Sequence, residues 1–437
     1  MNRIILIGNG FDLAHGMATS YKDFIDNYWT RFTKALSSEL NIDRNVNKYE
    51  DSFATFQASN NAIRILAYQW KDILKNNMSY KLFLEKLCNV YNRATHVNVN
   101  RGRETQLSFQ NDFLRQISES SCLNWVDVEN EYYAALLKVL RTGIERSNKE
   151  SSNIDKLNSD FEDIRKLLEE YLTQLPDTTQ KYDTIQKKIL APLHKKDIAH
   201  AYKMALVKHI QQRVDRIGHE IAMKKWNGTG LGDEEDIKRW TEDIRNIQER
   251  GNRRQFMRDH MDELPSYFSL PEEIMLVNFN YTDTIKRYIP EPLQSSIKLV
   301  NIHGLLNDSQ NPMIFGYGDD LDSHYAAIEE RNDNRYLEYI KSTSYHRTDS
   351  YRRMLEFADT GYFQIFIMGH SCGNSDRTLL NTLFEHRYCM SIKPFYYQND
   401  AGVDNYSDIV RNISRNFKDK QLMRERVVNK MYCEPLI

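Results

Sequence analysis

One ten-residue run, Met-Asn-Arg-Ile-Ile-Leu-Ile-Gly-Asn-Gly at positions 1–10, constrains the fold more than any other part of the chain. Within residues 2–8, positions 4–7 are an unbroken apolar stretch where a half-exposed strand would alternate apolar and polar residues. That predicts a strand buried on both faces, the condition of a parallel sheet covered by helices. The Gly8-Asn9-Gly10 turn follows at once, so the strand opens a βα unit. Three later runs, 274–278, 297–302 and 363–368, are strand-like. Each stops in small or polar residues, as parallel strands do where they deliver a ligand site at their carboxyl ends. Residues 393–397 suit a last strand and 408–418 a helix that closes the sheet. The expected fold class is α/β, an open parallel sheet interrupted by a large helical insertion.

With 437 residues the chain has room for a core plus a sizeable insertion, because single cores stop growing near roughly 250–300 residues. From 21 to 141 the pattern is helical, with apolar residues three and four apart in 62–74 and 80–91. Residues 155–175 and 185–221 are densely charged on a helical pattern, and the break near Pro176 predicts a long helical hairpin. The glycine-rich stretch 226–233 lacks both the preceding strand and the following Lys-Ser/Thr of a phosphate loop, so it reads as a linker before a charged helix over 234–250. The expected division is an α/β domain from 1–30 and 265–437, and a mostly helical insertion from 31–264.

The formal charge of −2 excludes a global positive field toward nucleic acid or anionic membrane. Cys88, Cys122, Cys372, Cys389 and Cys433 are odd in number, spread out and free of C-x-x-C spacing, which argues against a disulfide framework or zinc ribbon. Twelve histidines show no metal-ligand spacing; His194 with His200 and His209 with His219 read as charged helix surface, and no metal is expected. No apolar run approaches the roughly 20 residues that span a bilayer. A cytoplasmic location without membrane contact is the expectation.

Four strand ends carry the polar chemistry. In Gly8-Asn-Gly-Phe-Asp-Leu-Ala-His-Gly16 a glycine turn meets the start of a helix, where backbone amides and the helix dipole favour a phosphate; a ligand-free tight turn is the alternative. Asp12 is either a helix cap or a ligand, and His15 either a surface residue or a functional one. Asn278-Phe-Asn-Tyr-Thr-Asp283 clusters amides that need a ligand or a backbone network to satisfy them. Asn301-Ile-His-Gly304 offers His303 as a group that titrates near neutral pH. Met368-Gly-His-Ser-Cys-Gly-Asn-Ser-Asp376 holds a ribose or caps a helix. Gly369–Gly373 also matches the G-x-S-x-G elbow of serine hydrolases, but Asp376 and His386 follow too closely in sequence for that triad.

Taken together, Gly8–Gly16 with Thr19-Ser-Tyr-Lys-Asp-Phe24 closely resembles the opening signature of the AbiH abortive-infection family of bacterial antiphage proteins. Phe279-Asn-Tyr-Thr-Asp283, Ile302-His-Gly304, Gly369-His-Ser371 with Asp376, and Trp125-Val-Asp-Val-Glu129 resemble its other blocks. The same order is more distantly similar to the sirtuin-like Rossmann fold of bacterial NAD hydrolases. That resemblance implies a dinucleotide across the strand ends. Gly8, Asn9 and Gly10 would bind phosphate; Asn280 would orient a ribose or attacking water, and His303 would act as general base. Gly369 and Ser371 would line the adenosine end, and Phe11, Asp12, Asp283, Gly304 and Asp376 would complete the nucleotide-binding site. Here Thr282 holds the position of the related fold's Asp, and Asp283 comes one later. The zinc ribbon of sirtuins is missing, which removes the acyl-lysine module.

These similarities imply an abortive-infection effector that binds NAD or a related adenine nucleotide and hydrolyses its N-glycosidic bond, with no cofactor beyond that substrate. Glu129 and Asp127 add negative charge beside the developing cation or form helix-surface salt bridges. The alternative is a non-catalytic nucleotide-binding sensor or toxin scaffold, whose insertion recognises a phage or host protein, with a homo-oligomer open in either case. A nuclease is disfavoured by the neutral charge and the lack of a two-metal carboxylate cluster.

Overall fold

The structure is a computed structural model that describes residues 1–40, 46–60, 62–63, 78–85, 105–122, 127–145, 150–222, 234–291 and 296–437. Its strands are β1 (Asn2–Ile7), β2 (Lys48–Glu50), β3 (Ala54–Ala58), β4 (Thr105–Phe109), β5 (Ile274–Asn278), β6 (Ile297–Asn301), β7 (Phe363–Met368) and β8 (Cys389–Phe395). Five of them form an all-parallel sheet in the order β6-β5-β1-β7-β8. The order builds outward from β1 in both directions. The connections therefore reverse between β1 and β7, the place where an open α/β sheet leaves a crevice at its carboxyl edge.

Burial explains the continuous apolar runs. Ile4 and Leu6 face one layer, which includes the helices Ser350–Asp359, Arg377–Phe384 and Tyr406–Asn416. Ile5 and Ile7 face the other, packing with Phe11, Ile185, Ile189 and Tyr288. Both sides of β1 are thus dry, and no alternation is possible. β8 begins four residues before the expected position and carries Pro394, which an edge strand tolerates because one side of its ladder is unpaired.

The insertion departs from the sequence reading in two ways. It contains a three-stranded antiparallel sheet, β2-β3-β4, beside its helices. The short strands are amphipathic and interrupted in sequence, so helical periodicity around them hid the signal. The expected hairpin does not form either. Helix Glu150–Gln174 packs in one aromatic-rich core with Tyr21–Glu39, Asp112–Ser121 and Val128–Glu145, whereas Lys203–Ala222 packs with Glu234–Gln248 and Arg253–Asp259 around Met390 of β8. Residues 190–199 separate Lys203–Ala222 from the short helix Asp183–Ile189, and Arg3 inside β1 anchors the start of that stretch by donating to the carbonyls of Ile189 (3.0 Å) and Ala191 (2.6 Å). Packing also crosses the expected boundaries. Ile185 and Ile189 contact the parallel sheet, while Met313, Phe315 and Tyr336 enter the insertion's core. Most of the expected helices at 62–74 and 80–91, Trp125 and the linker 226–233 lie outside the described residues.

Candidate functional site

At the reversal point the turns after β1 and β7 meet backbone to backbone. A Cβ on Gly8 would lie 2.4 Å from His370 Cα, and one on Gly369 would lie 2.1 Å from the Phe11 nitrogen. Gly369 also adopts φ +77°, a conformation that costs an L side chain roughly 1–2 kcal/mol. The glycines are needed for this approach. It also uses the amides that a phosphate would want, since Gly8 N donates to Met368 O (3.2 Å) and Gly10 N to Gly369 O (2.8 Å). Asn9 is exposed, and its carboxamide oxygen accepts from the Thr19 hydroxyl. The Phe11 ring is fully buried against His15 and Tyr288 and can offer a ligand backbone alone.

The second and third strand ends are tied to the first. Asn278 and Asn301 are paired in register, and Asn278 Nδ2 donates to Asn301 Oδ1 and to Thr282 O, both at 3.0 Å. Asn280 Nδ2 donates to Gly8 O at 3.1 Å. The amide cluster is therefore satisfied by a backbone network. Asp12 is no cap of its own helix: it is buried and accepts from Thr282, while its other oxygen has no partner. Burial pushes its pKa up, against the hydrogen bond from Thr282. Because Thr282 turns inward to Asp12, Asp283 points out and pairs with Lys286 at 2.8 Å. His15 is not on the surface; it is buried between Phe11 O (2.7 Å) and the Tyr288 hydroxyl (2.6 Å). His209 is likewise buried, with Nε2 2.9 Å from Leu270 O.

Behind these turns lies a buried charged cluster. Lys341 Nζ sits 2.8 Å from Asp376 Oδ1 and 2.8 Å from Glu129 Oε2. His303 Nε2 lies 3.1 Å from Asp376 Oδ1, within contact distance but without hydrogen-bond geometry, and His370 Nε2 lies 3.5 Å from Oδ2. The His370 tautomer follows from the Cys372 amide, which donates to its Nδ1 at 3.0 Å and leaves the Nε2 proton facing Asp376. All five side chains are at most 10% exposed. The site thus holds one lysine against two carboxylates.

The charges settle unequally. Burial alone would raise Asp376, but Lys341 and the two imidazoles outweigh it and hold the carboxyl well below its usual range. Glu129 has only Lys341 and a Gly316 amide 3.4 Å away, so burial dominates and pushes it up to about 7, with Asp376 and Asp127 adding to the rise. Burial, reinforced by Lys341, pulls His303 down to about 4, leaving a neutral imidazole at physiological pH. Glu129 is therefore part of this interior and not the surface salt bridge that helix position suggested. Asp127 caps helix Val128–Glu145, accepting from the Asn130 amide at 3.1 Å.

The structure thus brings Gly8, Gly10, Asn280, Gly369, His303 and Asp376 to one edge. Gly304 turns the chain there at φ +79°, and the Ser371 carbonyl accepts from Asn412 at 2.8 Å. His386 lies against Asp359 and not beside exposed Ser371, so it does not form the triad with it. Beside the β5 and β6 ends a cavity of about 260 Å³ is lined by Met17, Leu172, Tyr281, Thr282, Leu306 and Asn307. It is smaller than the roughly 300–1,000 Å³ of typical small-molecule sites. Lys341 was invisible in sequence, because a single lysine outside any motif carries no signal until the fold buries it. Among the described residues no helix is long and apolar enough to cross a membrane.

No curated protein and no solved structure matches the chain. The family model for bacteriophage abortive infection AbiH matches residues 4–397, a span that runs from β1 through β8 and includes every residue of the charged cluster. The chain belongs to the bacteriophage abortive infection family AbiH.

Proposed function

We propose that the protein is an abortive-infection effector with a sirtuin-like, Rossmann-like domain that binds NAD or a related adenine nucleotide across the carboxyl edge of the sheet and hydrolyses its N-glycosidic bond. The observation that carries this reading is the convergence of the β1, β5, β6 and β7 ends on a buried, carboxylate-rich interior at the reversal of strand order. In the reaction the C1′–N bond breaks with its electron pair on the departing base. The ribose becomes cationic, and water adds to it and loses a proton. Two carboxylates against one lysine favour that cation electrostatically. Asn280 orients the ribose or the water, and neutral His303, whose Nε2 faces the Asp376 carboxylate, takes the proton on Nδ1. Because Asn280 and His303 are buried, the turns after β5 and β6 must part for the ribose to reach them, and the cavity beside those turns is the opening it would widen.

The test is incubation of the purified full chain with NAD and chromatographic detection of nicotinamide. Release by the wild type, abolished in Asn280→Ala and His303→Ala, is expected; unchanged turnover in both variants refutes the assignment. The burial of Asn280 and His303 favours a second reading, a non-catalytic nucleotide sensor or scaffold for a phage or host protein. Saturable NAD binding without nicotinamide release would select it.

A further inference from the structure

The proposed reaction depends on His303, and the carboxylate that faces it, Asp376, is held by Lys341, which Glu129 holds in turn. Glu129 stands in the first turn of the insertion helix Val128–Glu145, and Lys341 opens the helix Lys341–Ser344. We propose that Lys341 and Glu129 are positioning residues for His303: Lys341, shared between Glu129 and Asp376, fixes the carboxylate that faces the imidazole, so the insertion is part of the site.

Three observations carry this. Asp376 Oδ1 is the common neighbour of Lys341 Nζ and His303 Nε2, at 2.8 and 3.1 Å, so displacing the lysine displaces the oxygen nearest the ring. The lysine itself is held by backbone: its amide donates to Tyr317 O at 2.9 Å, and its side-chain stem lies where a Cβ on Gly318 would come within 3.2 Å. Finally, stability alone does not require charged residues here, because a buried ion triad is often replaceable by apolar residues at no loss of stability, and Phe279 and Tyr345 beside His303 belong to the apolar core.

The charged and titratable groups facing His303 come from every neighbouring element. Asp376, His370 and Cys372 belong to the turn after β7, Lys341 and Tyr345 to the segment beneath it, and Tyr281 to the turn after β5. Glu129 and Asp127 stand behind Lys341, with Tyr21 beside them. Lys341 is the cation among these groups that disfavours protonated His303 most strongly. Removing it leaves Asp376 facing the ring without that cation and raises the imidazole titration midpoint.

The experiment follows the His303 ring by side-chain NMR in the full chain, assigned by the signal lost in His303→Ala. In Lys341→Met the midpoint is expected to rise by about one pH unit or more. Lys341→Arg restores it, and the acidic limb of nicotinamide release moves with it through kcat and not KM. If Lys341→Met does not fold, Glu129→Gln/Lys341→Met, which adds no net charge to the interior, carries the same test. A folded variant whose His303 titrates as in the wild type overturns the proposal. The proposal rests on the catalytic reading only for the role of His303. A wild type that releases no nicotinamide removes that reading and leaves the titration to decide this one.

Discussion

Replacing Gly369 with alanine tests whether the meeting of the β1 and β7 turns is as tight as the geometry requires. Two costs are separable. The first is conformational: alanine at φ +77° loses roughly 1–2 kcal/mol. The second is steric, because the new methyl would lie 2.1 Å from the Phe11 nitrogen and 2.6 Å from the Gly10 carbonyl carbon. These are backbone atoms inside a helix start and cannot swing away. Relief requires the two turns to part by about 1 Å, which breaks the 2.8 Å bond from Gly10 N to Gly369 O, a further loss of about 1 kcal/mol with more for the disturbed packing. Gly16 is the control: it has φ +75° just past helix Asn9–Ala14, but nothing lies within 4 Å of its added Cβ. Urea denaturation followed by circular dichroism should show Gly16→Ala losing about 1 kcal/mol and Gly369→Ala about 3 kcal/mol or more. Equal losses would refute the claim that the turns are in contact.

Two further outcomes are expected. Glu129 is raised by burial to about 7 in the folded state, above the ordinary 4.5 of the unfolded chain, so its contribution is fully present below about pH 4.5 and is lost as pH rises toward 7. Denaturation midpoints at pH 5 and pH 8 should show the wild type losing on the order of 3 kcal/mol relative to Glu129→Gln across that window; a pH-independent difference would place Glu129 in solvent. On the far side of β8, Lys393 and Asp197 form a buried pair at 3.0 Å, so Asp197→Asn should lose roughly 3–5 kcal/mol. In the double variant Asp197→Leu/Lys393→Met much of that loss should return, and additive losses would count against a paired interior charge.

Much of the sheet was legible because its signal is local. β1, β5 and β7 each hold an apolar run of four residues that stops in small or polar residues, and the pattern located each to within a residue. β2, β3 and β4 were not legible: three to five residues with one buried face give a weak period, and helices surround them. The site divides the same way. Asn280, His303 and Asp376 stand out as polar residues at strand ends, whereas Lys341 looks like any other lysine and Glu129 like a first-turn acid suited to a helix dipole.

Sequence alone determined the family, the parallel sheet and the loops that leave its carboxyl edge, since each depends on residues adjacent along the chain. Tertiary structure decided which side chains share an interior: that Gly10 spends its amide on Gly369, that Thr282 claims Asp12 and frees Asp283, and that Lys341 balances Glu129 and Asp376 around His303. The reason is electrostatic. A charge acquires its pKa and its partner from burial and from neighbours contributed by distant segments, and neither exists until the chain has folded.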